Sequence, residues 1–106
     1  MARLIGLPVS LYSFKVQLAC AVMGITVPME LPEGGSYRSP GYRSLVPPGT
    51  IPALLADGLV LTESDAIIEY LDETLGGGRL MHGSPSRRAR VRMLSRLVDQ
   101  IGRAHV

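Results

Sequence analysis

The chain is poor in cysteine and in aromatic residues. Its 106 residues include one cysteine, Cys20, and no tryptophan. A single cysteine cannot form an internal disulfide, so we expect a reducing compartment, the cytoplasm. Cys20 lies on an apolar helix stripe, which predicts a core residue rather than a reactive thiol. The two histidines, His82 and His105, are isolated in the sequence, so no metal site is expected.

Long apolar runs are also missing. Lys15 and Gln17 interrupt the apolar N-terminal stretch, and the apolar run that follows is too short to cross a bilayer, so we expect neither a signal peptide nor a membrane partner. Residues 1–78 carry a net charge of −4, whereas residues 79–106 carry seven arginines and one aspartate, for +6. This basic segment has an apolar stripe and lacks aromatic residues on which bases could stack, so nucleic acid is not an expected partner.

The order of predicted elements indicates one α/β domain. We predict strands over 3–7 and 25–31, with a helix over 13–23 that ends at Gly24 between them. A loop with a short helix from Ser39-Pro40 to Leu45 follows. A hairpin and a second long helix, ending at glycines 76–78, complete a βαβ-ββα order, which predicts a mixed sheet with helices on its faces.

The three glycines predict a boundary between a domain of residues 1–78 and a segment of residues 79–106. In that segment Ser84-Pro85 predicts the start of another helix. Its apolar residues repeat at helical spacing and, in this chain alone, are expected to face water. They are Val91, Leu94, Val98 and Ile101.

The stretch from residue 50 to residue 71 is the most informative part of the chain. Ile51-Pro52 stands where a loop becomes a strand, which suits a strand start or a cis bond. Asp57-Gly58 predicts a two-residue hairpin turn. Thr62 then predicts a helix cap, with Asp65 as its capping-box partner. The first N–H groups of that helix, which opens on Glu63-Ser64, have no internal acceptor and can hold an anion.

This segment resembles the glutathione-binding half of the glutathione transferase family, and the order of elements resembles the thioredoxin-like fold. The resemblance implies that Pro52 is cis and that the backbone of Ile51 pairs with the cysteinyl part of glutathione. It implies that Glu63 and Ser64 hold the γ-glutamyl group, with Thr50 also among the glutathione-binding residues. It further implies that residues 79–106 begin an all-helical second domain that is cut short here.

The N-terminal residues LIGLPVSLYSFKVQLACAVMGI extend the resemblance. They place Ser10 where serine-type transferases keep the hydroxyl that activates the glutathione thiol, with Tyr12 and Ser13 as the nearest substitutes. A hydrogen bond from Ser10 would favour the thiolate of a thiol whose free pKa is about 8.5. Without this role, Ser10 would be a loop or cap residue, and we expect Ser13 to cap the helix.

The loop before Pro52 departs from the family pattern, in which a lysine, histidine or glutamine meets the glycine carboxylate of glutathione. Gly49 and Thr50 offer no charge there, so Arg38 or Arg43 is a candidate substitute.

The resemblance implies a detoxifying transferase that uses glutathione as co-substrate, attacks small electrophiles and forms a homodimer at full length. We expect the 106-residue chain alone to turn over electrophiles poorly, because the second domain lines the electrophile pocket in the family. The alternatives are a non-catalytic glutathione-binding or protein-interaction module, and a maleylacetoacetate isomerase-like enzyme. A thiol-disulfide oxidoreductase is disfavoured, since residues 9–15 contain no cysteine.

Overall fold

A four-stranded mixed sheet forms the centre of the computed structural model, which describes the backbone of residues 2–104 and the side chains of residues 2–101. The sheet order is β2-β1-β3-β4; β1 is parallel to β2 and antiparallel to β3, and β3 is antiparallel to β4. This confirms the predicted α/β architecture. The elements are β1 (Arg3–Ile5), α1 (Leu11–Met23), β2 (Met29–Glu30), a 3-10 turn (Glu33–Gly35), α2 (Pro40–Leu45), β3 (Ala53–Ala56), β4 (Leu59–Leu61), α3 (Ser64–Thr74) and α4 (Pro85–Ala104).

Helices cover both faces of the central strands β1 and β3, and neighbouring residues of each strand point to opposite faces. Leu4 and Leu54 face a core that α1 and α3 complete, whereas Ile5 and Ala53 face a smaller core that α2 covers with Tyr42. The larger core is made by Leu4, Val16, Cys20, Met23, Leu54, Ala56, Ile67, Ile68 and Leu71. Burial raises the pKa of the Cys20 thiol, as expected of a core cysteine.

Several predicted local features are confirmed. Gly24 ends α1 in the left-handed conformation, with φ of 73°, and Ser39 caps α2 by accepting a hydrogen bond from the backbone N–H of Tyr42. Asp57 and Gly58 both have positive φ between β3 and β4. These features depend on residues adjacent in sequence, which is why the sequence reveals them.

The strands are shorter than predicted. The first strand ends at Ile5 rather than Leu7, and β2 contains two residues rather than the predicted 25–31. Because β2 is an edge strand paired only with β1, its length is limited by the register of Leu4 with Met29 and Ile5 with Glu30. Pro28, which has no N–H to donate, precedes it.

Two predicted helix caps are wrong. Helix α1 begins at Leu11, and its cap is Ser10, whose hydroxyl accepts a hydrogen bond from the backbone N–H of Ser13. Ser13 lies inside the first turn, fully buried, and its hydroxyl accepts from the N–H of Leu7 at 3.2 Å. The cap position of α3 is Glu63, not Thr62, and it makes no side-chain capping bond.

Helix α4 packs beside α1, which half-buries Val91 and Val98 and corrects the expectation that its whole apolar stripe faces water. Leu94 and Ile101 do remain more than half exposed. Residues 105 and 106, including His105, lie outside the described chain. Among the helices within residues 2–104, none combines the length and the apolar character that a bilayer crossing requires.

Candidate functional site

The start of α3 forms one wall of an open cavity of about 340 Å³. Ser64 is the first residue of the helix and is buried, whereas Glu63 before it is exposed and extended. The first N–H groups of a helix have no intrahelical acceptor, and Glu63 supplies no side-chain cap to them. This wall therefore offers backbone donors and the positive end of the helix dipole to an anion.

The opposite wall is the turn that leads into β3. The peptide bond between Ile51 and Pro52 is cis, as predicted, and both residues line the cavity. Tyr42, fully buried beneath the turn, donates a hydrogen bond of 2.6 Å from its hydroxyl to the carbonyl of Thr50. Burial raises the pKa of Tyr42 to about 12, so its hydroxyl stays protonated and remains a donor at neutral pH.

The predicted site residues do not all meet. Ile51, Pro52, Glu63 and Ser64 line the same cavity, together with Tyr12 and Asp99. The exposed Thr50 precedes this group and is not in the lining, and Ser10 is also outside it.

The three hydroxyls at the start of α1 differ in what they can contact. Ser10 is half-buried, and its oxygen accepts from the N–H of Ser13 at 3.3 Å, so its own hydrogen remains available to another acceptor. Tyr12 lines the cavity, and its hydroxyl donates to the carbonyl of Asp99 at 3.2 Å. Ser13 has no exposed surface, which leaves Ser10 and Tyr12 as the accessible hydroxyls at the start of α1.

A group of charged residues around the buried Lys15, beside the cavity, was missed by the sequence reasoning. The ammonium of Lys15 on α1 lies 2.9 Å from a carboxylate oxygen of Asp65 on α3 and 2.7 Å from one of Asp99 on α4. Asp65 also accepts a hydrogen bond from Ser95 and lies 3.6 Å from the guanidinium of Arg96. A signal existed, since Lys15 is the single charged residue between positions 4 and 29.

These contacts explain why Asp65 does not cap its own helix. Burial of Asp65 disfavours its ionised form, but hydrogen bonds from Ser95 and Lys15 outweigh that effect and hold the pKa of Asp65 below its ordinary value. Its carboxylate is therefore engaged with α1 and α4 rather than with a backbone N–H of α3. Across residues 2–101, no group of three histidine, cysteine or acidic side chains is placed to hold a metal ion.

A second cation, Arg43, lies against the turn that leads into β3, called the β3 turn below. Gly49 has a φ of +65°, and a Cβ added to it would lie 3.1 Å from Nε of Arg43. The side chain of Arg43 thus occupies the space beside the backbone that a side chain at position 49 would enter. Arg43 follows Tyr42, whose hydroxyl binds the Thr50 carbonyl, so α2 holds the arginine against this turn.

Comparison with known proteins agrees with this architecture. A family model described as glutathione S-transferase, N-terminal domain, matches residues 4–79. The chain is 42% identical over 91 residues to a maleylacetoacetate isomerase of Pseudomonas aeruginosa, a match that covers 81% of this chain and 43% of that protein. The chain therefore spans less than half the length of this curated relative.

Solved structures of the same kind superpose on the chain. A delta-class glutathione transferase of Nilaparvata lugens matches with a TM-score of 0.71 and 30% identity, covering 88% of this chain and 45% of the other. A glutathione S-transferase of Rhodospirillum rubrum matches with a TM-score of 0.70 and 34% identity, covering 89% and 43%. The fold is thus the thioredoxin-like fold that the resemblance implied, and the chain belongs to the glutathione S-transferase family through its N-terminal domain.

Proposed function

We propose that this chain binds glutathione in the cavity between the β3 turn and the start of α3, and that it activates the glutathione thiol for attack on small electrophiles. The observation that carries the proposal is the meeting of Ile51, Pro52, Glu63 and Ser64 in one cavity, although a hairpin separates the two pairs in sequence. Family membership supports the choice of glutathione as the ligand.

The γ-glutamyl end of glutathione suits the wall made by α3. Its carboxylate would accept hydrogen bonds from the Ser64 hydroxyl and from backbone N–H groups of the first turn. Its ammonium would face Glu63 and Asp99, the two acidic residues of the cavity. On the opposite wall, the backbone of Ile51 would pair with the cysteinyl part of glutathione, with Thr50 beside it.

Ser10 is the proposed activating residue. Its hydroxyl oxygen already accepts from the N–H of Ser13, so its hydrogen is free to be donated to the glutathione sulfur. A hydrogen bond to a charged acceptor contributes roughly 1.5–3 kcal/mol, which corresponds to about one to two pKa units for the thiol. The N-terminus of α1 would favour the thiolate in the same direction.

Arg43 is the proposed partner of the glycine carboxylate. It packs against Gly49, where the family pattern has a polar or charged side chain nearby. Arg38, the other candidate, lies with its guanidinium 5.7 Å from the ring centre of Tyr37, and none of the hydrogen bonds or ion pairs found within residues 2–101 joins its side chain to the β3 turn. An arginine can bind a carboxylate through two parallel N–H donors.

Transfer chemistry needs more than this domain supplies. We propose that residues 1–78 form the glutathione-binding domain and that residues 79–106 begin a helical domain, which would supply the electrophile pocket and form a homodimer in a full-length cytoplasmic protein. Positioning the electrophile can be worth roughly 7–11 kcal/mol of the barrier. A maleylacetoacetate isomerase-like activity is the second candidate, favoured by the Pseudomonas relative.

Titration calorimetry with glutathione tests the proposal. Wild type is expected to bind, and Ser64→Ala should weaken binding about 10- to 100-fold, since a hydrogen bond to a charged group contributes roughly 1.5–3 kcal/mol. Ser86→Ala, an exposed serine near the start of α4, is the matched control and should bind as wild type does. Equal affinity in the Ser64 variant and wild type would overturn the assignment of Ser64.

A further inference from the structure

Lys15 joins three helices through a single buried ammonium. Its side chain is 7% exposed and belongs to α1, while its two carboxylate partners belong to α3 and α4. A buried lysine with two carboxylates at hydrogen-bond distance is held firmly, because an ammonium in a poorly solvated place needs hydrogen-bonded partners of opposite charge.

One of the two carboxylates lines the candidate cavity, and the other is next in sequence to a residue that lines it. Asp65 follows Ser64 directly in the first turn of α3, and Asp99 lines the cavity from α4. Tyr12 is also on α1, three residues before Lys15, and its hydroxyl donates a hydrogen bond to the carbonyl of Asp99 on α4. Lys15 thus connects the start of α3 to the α4 wall of the same cavity.

We propose that Lys15 is a positioning residue that couples the docking of α4 to the occupancy of the glutathione site. This inference rests on the proposed function. With Lys15 in place, Asp99 is held at the cavity wall and the first turn of α3 is held at Ser64. Without it, the Asp99 carboxylate loses the ammonium that holds it, and Asp65 keeps only Ser95 and Arg96, so nothing at this point joins α1 to α3 and α4. Because coupling between two equilibria is reciprocal, a bound glutathione should also tighten the docking of α4.

The test uses Lys15→Met, which keeps an unbranched stem of similar length and removes the charge. Lys15→Arg is the conservative rescue, and Gln17→Met, an exposed position on α1, is the matched control. Glutathione affinity is measured by calorimetry. Docking of α4 is measured by backbone hydrogen exchange of residues 91–101, with and without glutathione.

Wild type and the Gln17 control should show slower exchange of these amides when glutathione is bound. Lys15→Met should bind glutathione at least about tenfold more weakly and should lose the ligand-induced slowing. Lys15→Arg should recover most of the glutathione affinity and most of the ligand-induced slowing of exchange, because it restores a cation between the same carboxylates.

A second variant distinguishes a positioning role of Lys15 from simple neutralisation of the carboxylates. It also provides a test if Lys15→Met does not fold. Lys15→Met with Asp65→Asn removes one charge of each sign and leaves Asp99 at the cavity. Weak binding and no ligand-induced slowing in this double variant support positioning. Wild-type affinity in it, or unchanged affinity in a folded Lys15→Met, overturns the inference while leaving glutathione binding intact. Absence of glutathione binding by wild type instead overturns the proposed function, and this inference falls with it.

Discussion

Replacing Tyr42 with phenylalanine should weaken both the fold and the candidate site through one hydrogen bond. The ring is fully buried, so the substitution leaves its packing in place and removes only the oxygen that donates to the Thr50 carbonyl at 2.6 Å. The net value of such a bond is about 0.5–1.5 kcal/mol. Because Thr50 is exposed and the bond is only part-buried, water can reach the freed carbonyl. We therefore expect the free energy of unfolding at pH 7 to fall by about 0.5–1.5 kcal/mol.

The pH dependence of stability provides a second test of the Tyr42 prediction. Burial raises the pKa of Tyr42 to about 12 from an ordinary value of 10.0. Because folding keeps the Tyr42 hydroxyl neutral, it contributes its full stabilisation at pH values below the pKa of about 10 that it has in the unfolded chain. This contribution is lost as pH rises from about 10 through the pKa of the folded state. Between pH 10 and 12, wild type should therefore lose stability more steeply than Tyr42→Phe. The difference between their free energies of unfolding should become smaller over this range.

Urea unfolding followed by circular dichroism at pH 7 and pH 11 measures both effects. Tyr37→Phe is the control, since none of the described hydrogen bonds involves the Tyr37 hydroxyl, and it should stay within about 0.5 kcal/mol of wild type. Glutathione affinity of Tyr42→Phe should drop roughly 3- to 10-fold, because the Thr50 carbonyl anchors the turn beside Ile51. A Tyr42 variant as stable as wild type at pH 7 would refute the reasoning.

Three further substitutions test other parts of the account. Ser10→Ala should raise the apparent pKa of bound glutathione by about one to two units, seen in thiolate absorbance against pH, and an unchanged pKa would move the role to Tyr12. Asp65→Asn should destabilise the fold at neutral pH and make the loss of stability in acid less steep. The lowered pKa of Asp65 stabilises the folded protein above about pH 4, and this stabilisation is lost as pH falls through the folded-state pKa. An identical acid transition in the variant and in wild type would contradict this. Leu94, 59% exposed on α4, should promote self-association, so Leu94→Gln should shift sedimentation toward monomer, and a wild type that is monomeric at all concentrations would exclude it.

Local sequence patterns correctly predicted the elements that surround the site. The Asp57-Gly58 hairpin, the cap at Ser39 and the order of elements depend on residues near one another in the chain, and their physical requirements are specific. The cis bond before Pro52 was also predicted and is found; that prediction depended on the entry of a loop into a strand at Ile51-Pro52 together with the family resemblance.

Competition from distant partners explains what the sequence did not reveal. The spacing of Thr62 and Asp65 satisfies a capping box, but Asp65 has stronger partners in Lys15 and Ser95, which folding brings from distant positions. The choice between Ser10 and Ser13 as cap also depended on tertiary packing, because the N–H of Leu7 and the buried space beside Gly6 engage Ser13. In the first case the capping box does not form, and in the second the cap is Ser10, three residues before the predicted Ser13.

The most direct test of glutathione binding between the β3 turn and α3 is a titration of isotope-labelled chain with glutathione, followed by backbone amide chemical shifts. The account predicts saturable shifts that are largest at Ile51, Ser64 and Asp65, the amides nearest the two walls of the cavity. Shifts concentrated on another surface, or no saturable shift at millimolar glutathione, would contradict it.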